Sequence, residues 1–149
     1  MIELAPDPID PPALLAAFAR AAVGAGAIVS FSGIVRPDDG VTSLWLDHHE
    51  RLTLTAIEEV AAVARQRFGL LDLAIVHRIG LLGPGDPIVF VAAAASHRRA
   101  AFDAVDFAMD RLKTAVPLWK CETRGQDKRW IEARSHDHAD AARWEGVNG

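Results

Sequence analysis

Apolar positions along this chain follow two different spacings. Apolar residues recur every three or four positions in three segments, which predicts helices over 13–23, 53–68 and 96–116. Alternating or continuous apolar runs predict strands over 27–35, 42–49, 70–80, 87–95, 117–122 and 128–134. Because helices and hairpins mix along the chain, the pattern favours an α+β fold over a strictly alternating α/β sheet.

Turn and cap residues mark the boundaries of these elements. Asp10, or the prolines around it, is the expected start signal of the first helix, and Pro117 is expected to end the third. Proline, aspartate and glycine favour tight turns, so RPDDG at 36–40 predicts a hairpin between the first two strands. The polar segment with His136 and His138 predicts a mobile tail containing a last helical turn.

Length and composition limit the classes of protein to consider. A chain of 149 residues that is 50% hydrophobic can bury one core, so we expect one domain over 1–149, with a proline-rich lead (1–12) and a polar C-terminal tail (135–149). A net charge of −4 gives no general reason to bind nucleic acid. Without a signal peptide or a membrane-spanning apolar run, and with Cys121 as the only cysteine, a cytoplasmic protein is expected.

The stretch SHRRAAF opens the third predicted helix with an unusual run of cations. Ser96 is the expected N-cap, which places His97, Arg98 and Arg99 in the first turn, where the helix dipole disfavours positive charge. With the free backbone N–H groups, these side chains could form a cradle for phosphate or carboxylate. The alternative is a solvated helix start whose arginines pair with surface acids such as Asp103.

The segment SFSGIVR, residues 30–36, suggests a second place where an anion could be held. Gly33 within a strand is typical of a bulge or of close approach by another group, and Arg36 stands at the strand end. The alternative is a twisted strand that ends in a surface arginine. For this motif alone the second interpretation is preferred.

The segment KTAVPLWKCE, residues 113–122, combines two lysines seven positions apart with the only cysteine. Along the strand after the proline, Lys120 lies on one face, while Trp119 and Cys121 lie on the other. We expect Cys121 to face the core as an inert thiol. Lys120 would then share a pocket with Lys113, where like charges lower both pKa values and either amine could hold a carboxylate or pass a proton.

The other histidines carry weaker signals. His48 and His49 are neighbours on a strand and point to opposite faces, which is poor geometry for a shared metal. His77 lies in a mostly apolar strand and is expected to be structural. The sequence contains no HExxH, CxxC or glycine-rich phosphate loop, so neither a metal nor a cofactor is expected.

Five segments taken together resemble the large, catalytic subunit of molybdopterin synthase. In chain order across roughly residues 27–134 they are FSGIVR, HRIGLLGPGDPIVFV, SHRRAAFDA, MDRLKTAVPLWKCE and RWIEAR. The resemblance implies an α/β-hammerhead type of α+β fold, with antiparallel strands and packed helices in a single domain. It also implies a homodimer within a heterotetramer that includes a small ubiquitin-like sulfur-carrier subunit with a C-terminal Gly-Gly thiocarboxylate. The implied activity is that of a sulfurtransferase that converts cyclic pyranopterin monophosphate into the dithiolene of molybdopterin.

The resemblance also implies roles for individual residues. Lys113 and Lys120 match the two catalytic lysines of the family. The positions that line the family's pocket are matched by Phe31, Arg36, His97, Arg98, Met109 and Arg134. The cyclic phosphate of the substrate is expected to be held by Arg36, His97 and Arg98. Lys120 is the residue expected to contact the reaction intermediate directly.

Two other functions are compatible with the same residues. A non-catalytic module could use the basic pocket to hold a phosphorylated ligand or an acidic C-terminal tail. A thiol enzyme could instead work through Cys121, although the sequence offers no histidine and aspartate in a motif known for such sites.

Overall fold

Four helices and eight strands make up the part of the chain that the computed structural model describes, residues 1–37 and 40–146. The helices are α1 (Pro11–Ala21), α2 (Glu50–Phe68), α3 (Arg98–Thr114) and α4 (Ser135–Ala142). The strands are β1 (Ile2–Ala5), β2 (Ala27–Ile34), β3 (Ser43–His48), β4 (Asp72–Arg78), β5 (Gly80–Leu82), β6 (Pro87–Ala95), β7 (Leu118–Arg124) and β8 (Asp127–Ile131). The α+β class predicted from the sequence is confirmed.

The first sheet forms the larger core. Its strands lie in the order β1-β4-β6-β2, and all neighbours are antiparallel except β1 and β4. Alternate residues of β4 and β6 pack to opposite sides: Val76 and Phe90 pack with α1, whereas Ile75 and Val91 pack with α2 and α3. Because helices cover both faces, these two strands are buried at nearly every position, and β6 is apolar throughout.

The second sheet is smaller and carries one end of the candidate site. Its strands lie in the order β5-β3-β7-β8, and every neighbouring pair is antiparallel. Its inner face forms a small core from Leu44, Leu46 and Leu82, joined by Val35. Its outer face leaves three tryptophans about half exposed: Trp45, Trp119 and Trp130.

The predicted hairpin between the first two long strands is wrong. β2 pairs with β6 in the first sheet, whereas β3 pairs with β5 and β7 in the second. The chain leaves the first sheet at Val35, whose N–H donates to the Asp86 carbonyl and whose side chain enters the core of the second sheet. Turn chemistry therefore predicted the bend but not the pairing, and residues 38 and 39 of RPDDG lie outside the described part of the chain.

Both predicted ends of the chain contain more structure than expected. β1 lies within the proline-rich lead and pairs with β4, and the Met1 amino group donates to the Leu73 carbonyl at 3.0 Å. In the tail, the expected mobile segment is instead a two-turn helix, α4. Trp144, just beyond α4, packs edge-to-face against Phe68 and Phe107, with ring centroids 5.8 and 5.6 Å away. These long-range contacts leave no local sequence pattern.

Candidate active site

Two lysines meet where α3 ends beside the second sheet. Lys113 lies in the last turn of α3, and Lys120 lies in the middle of β7, opposite Leu46 of β3 and Ile131 of β8. Lys120 is on the inner face of the sheet and is partly buried. Burial lowers the pKa of Lys120 and the positive charge of Lys113 lowers it further, while Asp137 acts in the opposite direction. This direction agrees with the expectation for Lys120.

A carboxylate that the sequence reasoning missed completes this group. Asp137 is 8% exposed, and its Oδ1 lies 3.3 Å from the Lys113 Nζ and 3.4 Å from the His136 Nε2. Its Oδ2 accepts a hydrogen bond from the Arg134 backbone N–H at 2.8 Å. Burial opposes ionisation of Asp137, yet the Arg134 N–H and the Lys113 ammonium hold its pKa below the usual value. An acid three residues into a helix was the available signal, but α4 itself was not predicted as a full helix.

His77 is a buried histidine near the end of β4. Burial lowers its pKa from 6.5 to about 4, a hydrogen bond with the Arg78 carbonyl opposes this shift, and the charge of Lys120 adds to it. The ring is therefore neutral at pH 7, with Nδ1 carrying the proton and donating to the Arg78 carbonyl oxygen at 2.7 Å. Because the charge of Lys120 acts on its pKa, His77 belongs to the electrostatic surroundings of the two lysines.

Cys121 is buried, as predicted, but on the opposite side of the sheet from the one expected. The inner face of β7 carries Lys120, so Cys121 points to the outer face, where it is only 7% exposed. Its neighbours across the strands are Trp45 on β3 and Trp130 on β8. The prediction of a core-facing thiol is wrong, because the second sheet buries the other face of β7. The thiol and the Lys120 amine thus lie on opposite sides of the sheet.

The start of α3 differs from the prediction by one residue. His97, not Ser96, is the N-cap, and its side chain makes no capping hydrogen bond. The Ser96 carbonyl oxygen packs so closely against Gly26 that a Cβ at position 26 would collide with it. Arg98 is exposed, and Arg99 pairs with Asp103 at 3.8 Å, as the solvated-helix alternative proposed for the arginines.

The two basic ends of α3 are too far apart to form one pocket within a single chain. At 1.5 Å per residue, the sixteen-residue step from His97 to Lys113 spans roughly 24 Å. The expected pocket with Lys113, His97 and Arg98 together is therefore not formed by one copy of the chain. The helix predicted over 96–116 already implies this separation, because both motifs lie on one continuous helix.

A groove between β2 and α3 brings two other predicted residues together. Phe31 and Met109 both line this cavity of about 600 Å³, which also includes Arg99 near the start of the helix. Met109 precedes Lys113 by one helical turn on the same face of α3. The side chains of Phe31 and Met109 thus supply an apolar wall to this groove.

The remaining two predicted residues lie at element boundaries. Arg36 follows β2 on the surface, and Arg134 is the N-cap of α4, next to the ion pair between Lys113 and Asp137. Within residues 1–37 and 40–146, no three metal-ligating side chains converge, and no helix has both the length and the apolar character needed to cross a membrane.

Comparison with known proteins identifies this arrangement. The family model described as MoaE protein matches residues 4–115. The molybdopterin synthase catalytic subunit of Pseudomonas aeruginosa is 52% identical over 126 residues, covering 83% of this chain and 84% of the relative. The solved molybdopterin biosynthesis MoaE protein from Burkholderia ambifaria is 44% identical with a TM-score of 0.84, covering 99% of both chains. A complex of subunits 1 and 2 of molybdopterin-converting factor from Helicobacter pylori shares the fold, with 24% identity and a TM-score of 0.78, covering 90% of this chain and 92% of that one.

The fold and these matches first define the class of protein, an α+β enzyme subunit. More particularly, the chain belongs to the MoaE protein family and has the function of a molybdopterin synthase catalytic subunit. The family resemblance read from the sequence is confirmed.

Proposed function

We propose that this chain transfers sulfur from the C-terminal thiocarboxylate of a small ubiquitin-like subunit to cyclic pyranopterin monophosphate, forming the dithiolene of molybdopterin. The observation that carries the proposal is the inward-facing, partly buried Lys120 beside Lys113. A reaction that brings an anionic tail and an anionic substrate together needs fixed cations and an amine that exchanges a proton readily. The two lysines supply both properties.

The chemistry can be written as two steps for each sulfur. The thiocarboxylate sulfur attacks an electrophilic side-chain carbon of the pterin, so a C–S bond forms while a C–O bond of that carbon breaks and its oxygen leaves with a proton. The small subunit is then briefly linked to the pterin through a thioester. Water then attacks the thioester carbonyl, which releases the carboxylate of the small subunit and leaves sulfur on the pterin. Lys120 contacts this intermediate and handles the protons, while the Lys113 ammonium holds the carboxylate.

The geometry supports an amine mechanism over a thiol mechanism. Cys121 points away from Lys120 across the sheet and is covered by Trp45 and Trp130. A thiol in this position has no path to a substrate held at the lysines. Because sulfur arrives on the partner's tail, the catalytic subunit does not need a thiol of its own.

The proposed assembly rests on the similarity of this chain to catalytic subunits and on the length of α3. A catalytic subunit implies a second, sulfur-carrying subunit, and the solved complex from Helicobacter pylori is an example of such a pair. If His97 and Arg98 hold the phosphate of the same substrate molecule, they must come from another copy, because they lie roughly 24 Å from Lys113. We therefore propose a homodimer within a heterotetramer, acting in the cytoplasm, with Arg36 as a further phosphate ligand.

The test combines the purified chain, a thiocarboxylated small subunit and cyclic pyranopterin monophosphate, and measures dithiolene product after oxidation to a fluorescent derivative. We expect Cys121→Ser to keep wild-type activity and Lys120→Ala to lose at least about a hundredfold. Lys128→Ala removes an exposed lysine from β8 and is the matched control, with activity unchanged.

Two results would contradict the proposal. If wild-type protein binds the small subunit and the pterin without forming product, the chain is a binding module. If Cys121→Ser abolishes product while Lys120→Ala does not, the chain is a thiol enzyme.

A further inference from the structure

Asp137 occupies a position in the lysine group that the reaction scheme leaves unexplained. Its carboxylate is nearly buried. Of its partners, the Arg134 N–H is the one that α4 needs at its start. The second oxygen faces the Lys113 ammonium at 3.3 Å. The Lys113 side chain is 47% exposed, so this ion pair contributes little to folding stability. Its value to the protein must then lie in placing the lysine.

The rest of α4 is fastened to the body of the protein independently of Asp137. Asp110 of α3 accepts hydrogen bonds from Trp144 Nε1 at 2.7 Å and from Arg143 Nη2 at 2.8 Å. The Trp144 ring also packs against Phe107. The far end of the helix that carries Asp137 is thus anchored. This anchor fixes the position of the Asp137 carboxylate and therefore where Lys113 can lie.

Charged and titratable groups reach this carboxylate from several elements. They are Lys113 from α3, Lys120 from β7 and His136 in the first turn of α4, while Arg134 contributes its backbone N–H. The charge of Lys120 also acts on His77 from β4. Asp137 is the only carboxylate that the structure places against the two lysines within the described residues.

We propose that Asp137 is a positioning residue that holds the Lys113 ammonium in place as a fixed cation, so that Lys120 is left as the amine that exchanges its proton. This inference rests on the proposed function, since it assigns different tasks to the two lysines of the same site. Without the carboxylate, Lys113 would be free to sample many side-chain rotamers, and the two like charges would repel each other without compensation.

The test uses the fact that the sequence contains only three lysines, Lys113, Lys120 and Lys128. Reductive methylation with ¹³C-formaldehyde gives each lysine a methyl signal whose titration and relaxation can be followed by NMR. Asp137→Asn keeps an oxygen that can accept the Arg134 N–H but removes the charge. Asp140→Asn makes the same change in charge at an exposed position of α4 and is the control.

In Asp137→Asn we expect the Lys113 methyl signal to report greater mobility. We also expect the Lys120 signal to titrate at lower pH, because the negative charge that raises the Lys120 pKa is gone. Lys128 should be unaffected, and Asp140→Asn should resemble wild type at all three signals. Lys113 and Lys120 signals that do not respond to Asp137→Asn, or that respond equally to Asp140→Asn, would overturn the proposal.

The activity assay adds a second readout. Asp137→Asn should lower kcat by about ten- to a hundredfold. It should also move the limb of the pH profile that reports Lys120 to lower pH, whichever protonation state of Lys120 is active. Asp137→Glu, which restores the charge, should recover part of kcat. A loss of activity without movement of this limb would indicate a merely structural role and would contradict the proposal.

The two proposals fail in distinguishable ways. Absence of product from wild-type protein would refute the sulfur-transfer proposal, whereas the NMR titration tests the link between Asp137 and the lysines without any turnover. Should Asp137→Asn not fold, Asp137→Ser keeps a side-chain oxygen at the helix start without the charge and is tested in its place.

Discussion

The two ends of α3 carry similar residues in opposite physical situations. At its start, His97 and Arg98 are exposed and face the positive end of the helix dipole. At its end, Lys113 lies where the dipole favours a cation, and the buried carboxylate of Asp137 holds it. The start of α3 is open to an anion from outside the chain, whereas the end of α3 already pairs with the Asp137 carboxylate of its own chain.

This difference shows that a run of basic residues does not by itself define a site. The charge at the start of α3 lacks a capping side chain, and among its first residues Arg99 forms an ion pair, with Asp103. The charge at the end of α3 is organised by β7 and α4, which come later in the sequence. Four experiments test how far the two ends differ, and they follow in order of expected effect.

The largest effect should come from coexpressing a variant at the start of α3 with a variant at the lysine pair near its end. Arg98→Ala and Lys120→Ala should each lose about a hundredfold in activity when assayed alone. If the start of α3 in one copy serves the lysines of another, coexpressed variants form mixed dimers with one intact site. Random pairing would then restore about a quarter of wild-type activity. Activity of the coexpressed protein that stays at the level of the single variants would show that the two ends do not cooperate across copies.

The buried histidine at the lysine end should make the protein sensitive to acid. The His77 pKa is about 4 in the folded chain and 6.5 when unfolded. The contribution of neutral His77 to the free energy of unfolding is therefore complete above pH 6.5 and is lost as the pH falls towards about 4. The free energy of unfolding should decrease by about 3 kcal/mol over this range from His77 alone. Urea denaturation of His77→Gln at several pH values should show a correspondingly flatter dependence.

The control for this measurement comes from the other end of the helix. His97 is exposed, so His97→Gln should retain the pH dependence of wild type. An equally steep dependence in His77→Gln would show that other groups cause the acid sensitivity.

The anchor of α4 should contribute measurably to stability. Asp110→Ala leaves the Trp144 N–H without its acceptor and removes the buried partner of Arg143, so we expect a loss of about 2 kcal/mol in the free energy of unfolding. Asp106→Ala, one turn earlier on α3, removes only an exposed contact to Arg143 and should cost less than about 1 kcal/mol. Equal losses from the two variants in urea denaturation would argue against this anchor.

The smallest effect is expected at the ion pair near the start of α3. The Arg99 side chain is 78% exposed and lies 3.8 Å from Asp103, so Arg99→Ala should change the free energy of unfolding by less than about 0.5 kcal/mol. Thermal or urea unfolding would detect a larger change, which would mean that this end of the helix is more organised than its exposure indicates.

Local patterns predicted the elements well but predicted their partners poorly. The 3.6-residue period identified α2 and α3 nearly to their observed ends, and the alanine-rich run of β6 was predicted at its observed bounds. β1 was missed because four residues are too few to show an alternation. The β2–β3 hairpin was wrong because pairing depends on which strand presents a complementary edge, which a turn motif does not encode.

The candidate site shows the same division. Lys113 and Lys120 were found from the motif that holds both, and their catalytic roles stay predictions, as do the roles of Arg36 and Arg134. Asp137 was missed because its importance depends on α4 folding back onto α3 through Trp144.

The sequence by itself determined that this is an α+β chain of the MoaE family with a lysine pair near the end of its longest amphipathic motif. These properties reside in short-range periodicity and in ordered motifs. Only the tertiary structure decided that Lys120 faces inward and Cys121 outward, and that Asp137 holds Lys113. Each of these depends on contacts between elements distant in sequence, where burial and charge are fixed by the packing of the whole chain.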